Sequence, residues 1–158
     1  MGSMRVFSLD AVVTVTPVVD TAVYTAGDLL FDSVEIPDAV RGAGGIAILQ
    51  SVTILDKADQ QVPMTLVILD TLTDMGTINN APNPDDAECA TIIGWVPVGT
   101  SDYFDFGGAN VACVRNIGLV CKALAGTSSL YVAAVNGSGT PTYGAATDLV
   151  IRLGFLQS

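Results

Sequence analysis

Short apolar segments separated by turn residues run along the whole chain. The segments are rich in Val, Ile, Leu and Thr, several alternate with polar residues, and Gly, Pro, Asn and Asp separate them. This pattern is typical of an all-β sandwich or barrel. We predict one jelly-roll-like β domain with these strands: Val12–Thr16, Leu29–Ile36, Ile46–Asp56, Met64–Leu69, Ile92–Val98, Val111–Val114, Leu119–Leu124, Ser129–Val135 and Leu149–Leu156.

Two connections have clear signatures. Lys57–Gln61 is a polar segment between two apolar runs and predicts a hairpin, with Pro63 at the start of the second strand because proline cannot donate a ladder hydrogen bond. Asp70–Pro84 is rich in turn residues. The acids of Asp85–Ala90 favour one short helix, since they complement the helix dipole. We therefore expect a long connection that carries this helix across one end of the sandwich.

Two further segments are predicted to be loops. Gly99–Asn110 contains a Gly107–Gly108 turn, and Asn136–Ala146 begins with Asn-Gly, a favoured hairpin-turn dipeptide. We expect the second loop to be a projecting tip. Met1, Gly2 and Ser3 precede a second methionine. We interpret residues 1–3 as an expression scar and residues 4–158 as the single β domain.

The chain contains no histidine. Histidine serves acid–base catalysis, nucleophile activation and metal binding more often than any other side chain, so its absence disfavours an enzyme. We expect no catalytic residue, no cofactor and no metal. Charged residues make up 14% of the chain and apolar residues 50%, against about 25% charged in ordinary soluble domains. This imbalance indicates that part of the surface meets other protein.

Net charge and segment length exclude two classes of partner. The formal charge is −10, which opposes binding to nucleic-acid phosphates. The six cations are scattered singly along the sequence and form no basic stripe, so we expect neither nucleic acid nor a membrane as partner. No apolar run approaches the roughly 18 residues of a membrane span. The cysteines are expected to be small core residues, namely Cys89, Cys113 and Cys121.

Carboxylates are the most plentiful chemical groups. Several lie close together in turns and could hold calcium, although none follows the EF-hand spacing. A hydrolase that uses two carboxylates roughly 5–10 Å apart is a further alternative. These groups are Asp56 with Asp59, Asp70 with Asp74, Asp85 with Asp86 and Glu88, and Asp102 with Asp105.

Three stretches carry a resemblance to a known class of protein. They are LDAVVTVTPVVDTAVYTAGDLLFDSVEIPDAVR, GGIAILQSVTILDKADQQVPMTLVILD and SSLYVAAVNGSGTPTYGAATDLVIRLGFLQ. They resemble small virion structural proteins of tailed bacteriophages, over most of Ser8–Gln157. The resemblance brings no motif that assigns a role to a particular residue.

This resemblance implies a role in a phage particle. Small all-β virion proteins of this size often are capsid decoration (cement) proteins, which bind the outside of the head, commonly as trimers. The resemblance therefore implies a homotrimer whose partner is the major capsid protein, made in the host bacterial cytoplasm and located on the phage head surface. The alternatives are a tail or head-fibre component that binds a receptor or glycan, and a self-assembling shell or filament subunit.

Candidate contact residues follow from chemistry alone. Aromatic side chains in or beside loops are typical interface anchors, and an N-terminal arm can add a strand to a neighbour's sheet. The alternatives are that the aromatics cap the core and that the arm is an ordinary edge strand. Trp95, in an apolar strand, is expected to be buried in the core or in an interface. The candidates are Trp95, Tyr103, Phe104 and Phe106, and, from the arm Arg5–Asp10, Arg5, Val6 and Phe7.

Overall fold

The computed structural model describes residues 9–158, with side chains from residue 11 onward. Almost all of the regular structure is β. The strands are β1 Leu9–Val15, β2 Leu29–Ile36, β3 Ile46–Asp56, β4 Met64–Leu69, β5 Ile92–Val98, β6 Tyr103–Asp105, β7 Asn110–Lys122, β8 Leu130–Asn136 and β9 Leu149–Gln157. One short helix, α1, spans Asp86–Cys89, and a 3₁₀ turn spans Thr100–Asp102.

The strands form two antiparallel sheets. The order in the five-stranded sheet is β1-β9-β3-β7-β6, and the order in the four-stranded sheet is β2-β8-β4-β5. Only the β4–β5 and β6–β7 connections stay within one sheet. With β6 set aside, this is the eight-stranded jelly-roll arrangement of two sheets. The prediction of an all-β sandwich with one short helix is confirmed.

Alternation along the strands places the core between the sheets. Ala47, Leu49, Val52 and Ile54 of β3 are buried, while their neighbours on the strand are partly or fully exposed. Successive side chains point to opposite faces of a sheet, so one face of β3 packs inward and the other faces out. The same alternation occurs along β9, from Leu149 to Phe155.

Part of the outer face of the four-stranded sheet is buried as well. Val67 and Leu69 of β4 and Ala133 of β8 form a second cluster with Met75, which comes from the long connection after β4. This connection is held by backbone hydrogen bonds, and the N–H of Met75 donates to the Asp32 carboxylate at 2.9 Å. Burial on both faces explains why β4 is apolar along nearly its whole length.

Two differences from the predicted strands concern β6 and β7. One strand, β7, replaces the two predicted strands Val111–Val114 and Leu119–Leu124. The residues between them stay in the strand because the pairing with β3 shifts register at this point. Asn116 and Gly118 take positive φ angles of 57° and 70° there, as residues of a bulge often do. The Gly99–Asn110 segment is not wholly a loop, since β6 lies within it and pairs with β7.

The predicted hairpin at Lys57–Gln61 is wrong. Strands β3 and β4 lie in different sheets, so this segment crosses from one sheet to the other. The buried carboxylate of Asp56 accepts hydrogen bonds from the N–H groups of Ala58, Gln60 and Gln61 at 3.0, 2.7 and 3.0 Å. These hydrogen bonds fix the backbone of the segment that crosses between the two sheets. Pro63 directly precedes β4, as predicted.

The loop expected to project, Asn136–Ala146, instead packs on the sandwich. Asn136 ends β8, is buried, and donates its side-chain amide to the carbonyls of Thr25 and Gly139 at 2.9 and 3.1 Å. Tyr143 is buried edge-on against Tyr24, with ring centroids 5.9 Å apart. Strands β8 and β9 lie in different sheets, so Asn136–Gly137 is not a hairpin turn.

The helix lies where it was predicted. Asp85 caps α1, since its carboxylate accepts the N–H of Glu88 at 2.8 Å and the Glu88 carboxylate accepts the N–H of Asp85 at 2.7 Å. This reciprocal capping box satisfies two N–H groups of the first turn. Within residues 9–158, no helix is long and apolar enough to cross a membrane. Of the cysteines, Cys121 is buried, whereas Cys89 and Cys113 are exposed, so the expectation that all three fill the core is wrong.

A pH titration of an Asp56→Asn variant tests the role of this carboxylate. Burial raises the pKa of Asp56 above its usual value, and Asp59 raises it further, against the opposing effect of the N–H donors. Asp56 therefore ionises less readily in the folded chain than in the unfolded chain. Its contribution to the free energy of unfolding is greatest below its unfolded pKa and falls as pH rises through its folded pKa.

We expect the stability difference, wild type minus Asp56→Asn, to shrink from about pH 3 towards neutrality. It stays positive at pH 7, because asparagine has one acceptor oxygen for the three N–H donors. Urea unfolding followed by circular dichroism at each pH measures the difference. A difference that grows with pH would contradict this role.

Candidate protein interface

Three large aromatic side chains are exposed on or beside two edge strands of the sandwich. Trp95 lies on β5, the edge strand of the four-stranded sheet, and Phe104 lies on β6, the edge strand of the five-stranded sheet. Trp95, Phe104 and Phe106 are 66%, 66% and 68% exposed. We call these three residues the aromatic edge. The rings of Phe104 and Phe106 are in contact, with centroids 4.8 Å apart.

Strand alternation explains why these side chains face out. In β5, Val96 and Val98 are buried and the intervening Pro97 and preceding Trp95 are exposed. Phe104 pairs with Val111 on β7, and both lie on the outer face of the five-stranded sheet. Trp95 is therefore not buried in the core of this chain. An interface remains the other expected location.

Tyr103 has a different environment from its neighbour Phe104. It is half-buried against the core, and its hydroxyl donates to the carbonyl of Val62 at 2.8 Å. Burial raises the pKa of Tyr103 well above its usual range, and the nearby Asp56 and Asp102 add to the rise. This residue ties β6 to the segment before β4. The other candidates, Arg5, Val6 and Phe7, lie outside the described residues, so their role stays a prediction.

Carboxylates near the aromatic edge are engaged in turns. Asp102 accepts the N–H of Gly99 at 2.8 Å, and Asp105 accepts the N–H of Gly107 at 2.7 Å. Among residues whose side chains the structure describes, no group of three Cys, Asp or Glu side chains could hold a metal ion. These acids stabilise turns and place negative charge beside the aromatic edge.

The outer face of the five-stranded sheet carries a second exposed apolar surface. Ile48 on β3 pairs with Val120 on β7 and with Leu156 on β9, so the three side chains lie in one row. With Ile46 they line an open groove of about 360 Å³. Leu156 also lines an adjoining hollow with Val12 of β1. We call these five residues the apolar strip. Val12 and Val120 are 69% and 63% exposed.

Three of the six cations lie on this same outer face. Arg152 and Cys113 both pair with Thr53, Arg115 pairs with Ser51, and Lys122 pairs with Ile46. Arg115 and Arg152 are exposed and have no hydrogen bond or ion pair with another described residue. Lys122 donates to the carbonyl of Gly44 at 2.8 Å. On the strand positions of this face with described side chains, there is no carboxylate.

Charge is also unevenly distributed along the sequence of this acidic chain. Between Lys57 and Arg115 the sequence has eight carboxylates and neither lysine nor arginine. This stretch includes α1, β5 and β6, and hence the aromatic edge. We call the apolar strip together with Arg115, Lys122 and Arg152 the cationic face. Sequence reasoning missed it, because the cations are far apart along the chain and only the strand register brings them together.

Comparisons with known proteins give distant structural matches only. A scan against family models and a search of curated proteins both find no match. The chain is similar to the crystal structure of the infectious bursal disease virus VP2 subviral particle (12% identity, 99% of this chain and 39% of that chain, TM-score 0.30). It is also similar to the structure of the Gx strain of the same virus, with 12% identity over 99% of this chain and 41% of that chain and a TM-score of 0.31. For the structure of Triatoma virus the identity is 13% over 92% of this chain and 72% of that chain, and the TM-score is 0.13. This chain spans about two fifths of the length of the two infectious bursal disease virus chains.

Removal of the Tyr103 hydroxyl distinguishes the core aromatic from the exposed ones. Tyr103→Phe leaves the carbonyl of Val62 without this donor and should lower the free energy of unfolding by about 1 kcal/mol. Phe104→Ala, the matched control, should change it by less than about 0.5 kcal/mol. Urea unfolding at a concentration where the chain is monomeric measures both. The reverse order of effects would show that Phe104, and not Tyr103, supports the fold.

Proposed function

We propose that this chain is a virion structural protein, and specifically a capsid decoration protein that binds the outside of a phage head as a homotrimer. The jelly-roll topology supports the coarser role, because this architecture is widely used in viral capsid domains, although also in lectins and cupins. The observation that carries the proposal is the aromatic edge. Three aromatic side chains that are about two thirds exposed on or beside the edge strands of the sandwich are characteristic of a surface that binds protein.

The physical role of such a protein is to shift an assembly equilibrium. A protein that binds the assembled shell and not its free subunits stabilises the shell by mass action. A trimer presents three equivalent contacts, so weak individual contacts combine through their high effective concentration. This mechanism needs exposed contact surfaces on a rigid fold and no reactive group. It agrees with a histidine-free chain whose buried aspartates among the described residues, Asp28 and Asp56, accept backbone N–H groups of loops.

The alternative of a glycan-binding fibre component has less support. Sugar-binding sites combine an aromatic stacking surface with free polar groups. Here the rings of Phe104 and Phe106 are tilted by 48° to each other. The two carboxylates beside them, Asp102 and Asp105, already accept backbone N–H groups. The aromatic edge is therefore better suited to contact with apolar protein surface.

Light scattering coupled to size exclusion tests the oligomer. We expect wild-type protein to have three times the 16.2 kDa chain mass. The double substitution Trp95→Ala with Phe104→Ala should give monomers, because buried aromatic anchors contribute most to association. Leu72→Ala is the matched control, since Leu72 is 69% exposed and lies in the connection after β4, outside the aromatic edge.

Two outcomes would contradict the proposed oligomer. One is a wild-type chain that is monomeric at every concentration. The other is a Trp95→Ala, Phe104→Ala variant that keeps the wild-type mass, which would place the subunit contact elsewhere.

A further inference from the structure

The cationic face is open and large enough for a stable protein contact. Its groove and the adjoining hollow lie on the outer side of four long strands, β1, β9, β3 and β7. At about 4.8 Å per strand and about 3.3 Å for each of the eleven residues of β3, these strands present on the order of 700 Å². A standard interface buries about 800 Å² of each partner. Phe104 of β6 adjoins this face, on the same side of the sheet.

The two sheets differ in charge. The five-stranded sheet has three cations on its outer side, and the strand positions of that side with described side chains have no carboxylate. One further position of that side, Asp10, pairs with Leu156 at the β1 edge. The four-stranded sheet and the connection between β4 and β5 have no cation. Their carboxylates are Asp32, Glu35, Asp70, Asp74, Asp85, Asp86 and Glu88. The contrast in charge therefore separates the two sheets of the fold.

We propose that this chain docks on the shell through the cationic face, which binds a protein surface of apolar side chains bordered by carboxylates. This inference rests on the proposed decoration role and assigns the shell contact to one face of the sandwich. The apolar strip packs on the apolar side chains of the partner, and Arg115 and Arg152 lie opposite its carboxylates. The acidic four-stranded sheet then faces the water outside the shell.

The chemistry of the cationic face favours an acidic protein surface over other occupants. Arg115 and Arg152 have no hydrogen bond or ion pair with another described residue. A guanidinium is weakly hydrated and binds a carboxylate through two parallel hydrogen bonds, so it suits a protein interface. Nucleic acid fits less well, because its phosphates would contact the cations and leave the apolar strip in water. A second copy docked through the same face would place like charges together.

Two exposed cysteines provide a footprint of docking on the wild-type chain. Cys113 lies on the same side of the sheet, in the row of Thr53 and Arg152. Cys89 lies in α1, between β4 and β5, and is the matched control. A short pulse of N-ethylmaleimide, followed by mass spectrometry of peptides, measures how fast each thiol is alkylated in the free protein and on expanded phage heads that lack the chain. We expect alkylation of Cys113 to slow about tenfold or more on the heads, because an interface core excludes water, and that of Cys89 to stay unchanged.

A pair of charge reversals tests the partner's chemistry. Arg152→Glu reverses one charge on the cationic face, and Lys57→Glu reverses one exposed charge in the β3–β4 crossing. Cosedimentation with the same heads measures the affinity of each variant, and circular dichroism checks that each is folded. We expect Arg152→Glu to weaken binding about tenfold or more and Lys57→Glu to bind as wild type does. Light scattering should give Arg152→Glu the wild-type oligomer mass, because the cationic face joins the chain to the shell and not to other copies.

Four results would overturn the inference, and they separate it from the proposed function. If wild type binds the heads and Cys113 stays as reactive as in the free protein, the docking face is refuted and the decoration role stands. If Cys113 is already protected in the free oligomer, the cationic face joins subunits instead. Binding of a fluorescent DNA duplex that Arg152→Glu abolishes would identify nucleic acid as the occupant. A wild-type chain that does not bind the heads refutes the decoration role and this inference together.

Discussion

The fold depends on what covers the apolar side chains on the two faces of each sheet. The inner faces pack together and form the core. Part of the outer face of the four-stranded sheet is covered from within the chain, where the long connection brings Met75 onto Val67 and Leu69. In the structure described, the apolar strip on the outer face of the five-stranded sheet has no such cover, since Val12 and Val120 are about two thirds exposed. This asymmetry connects the fold to the proposed assembly.

The fold class and most strand positions could be predicted from local patterns. Four strands, including Ile46–Asp56 and Met64–Leu69, have the predicted bounds. Their partners could not be predicted in this way, because alternation identifies a buried face and does not say in which sheet the strand lies. The segment at Lys57–Gln61 therefore resembled a hairpin, although it crosses between sheets and is held by the carboxylate of Asp56.

The candidate interface could be predicted in part. Trp95, Phe104 and Phe106 were recognised as candidates by residue type, and the structure shows that all three are exposed. Residue type did not separate them from Tyr103, whose hydroxyl bonds to the carbonyl of Val62. The cationic face could not be predicted, because Arg115 and Arg152 are neighbours only through the pairing of β7 and β9 with β3.

In the proposed role, this chain stabilises a shell by binding to it, so binding and shell stability must change together. The most direct test of the proposed decoration role mixes the purified chain with expanded phage heads that lack it, and measures cosedimentation and the temperature at which the heads release their DNA. The account predicts saturable binding and a higher release temperature. Heads that neither bind the chain nor gain stability would contradict the decoration role.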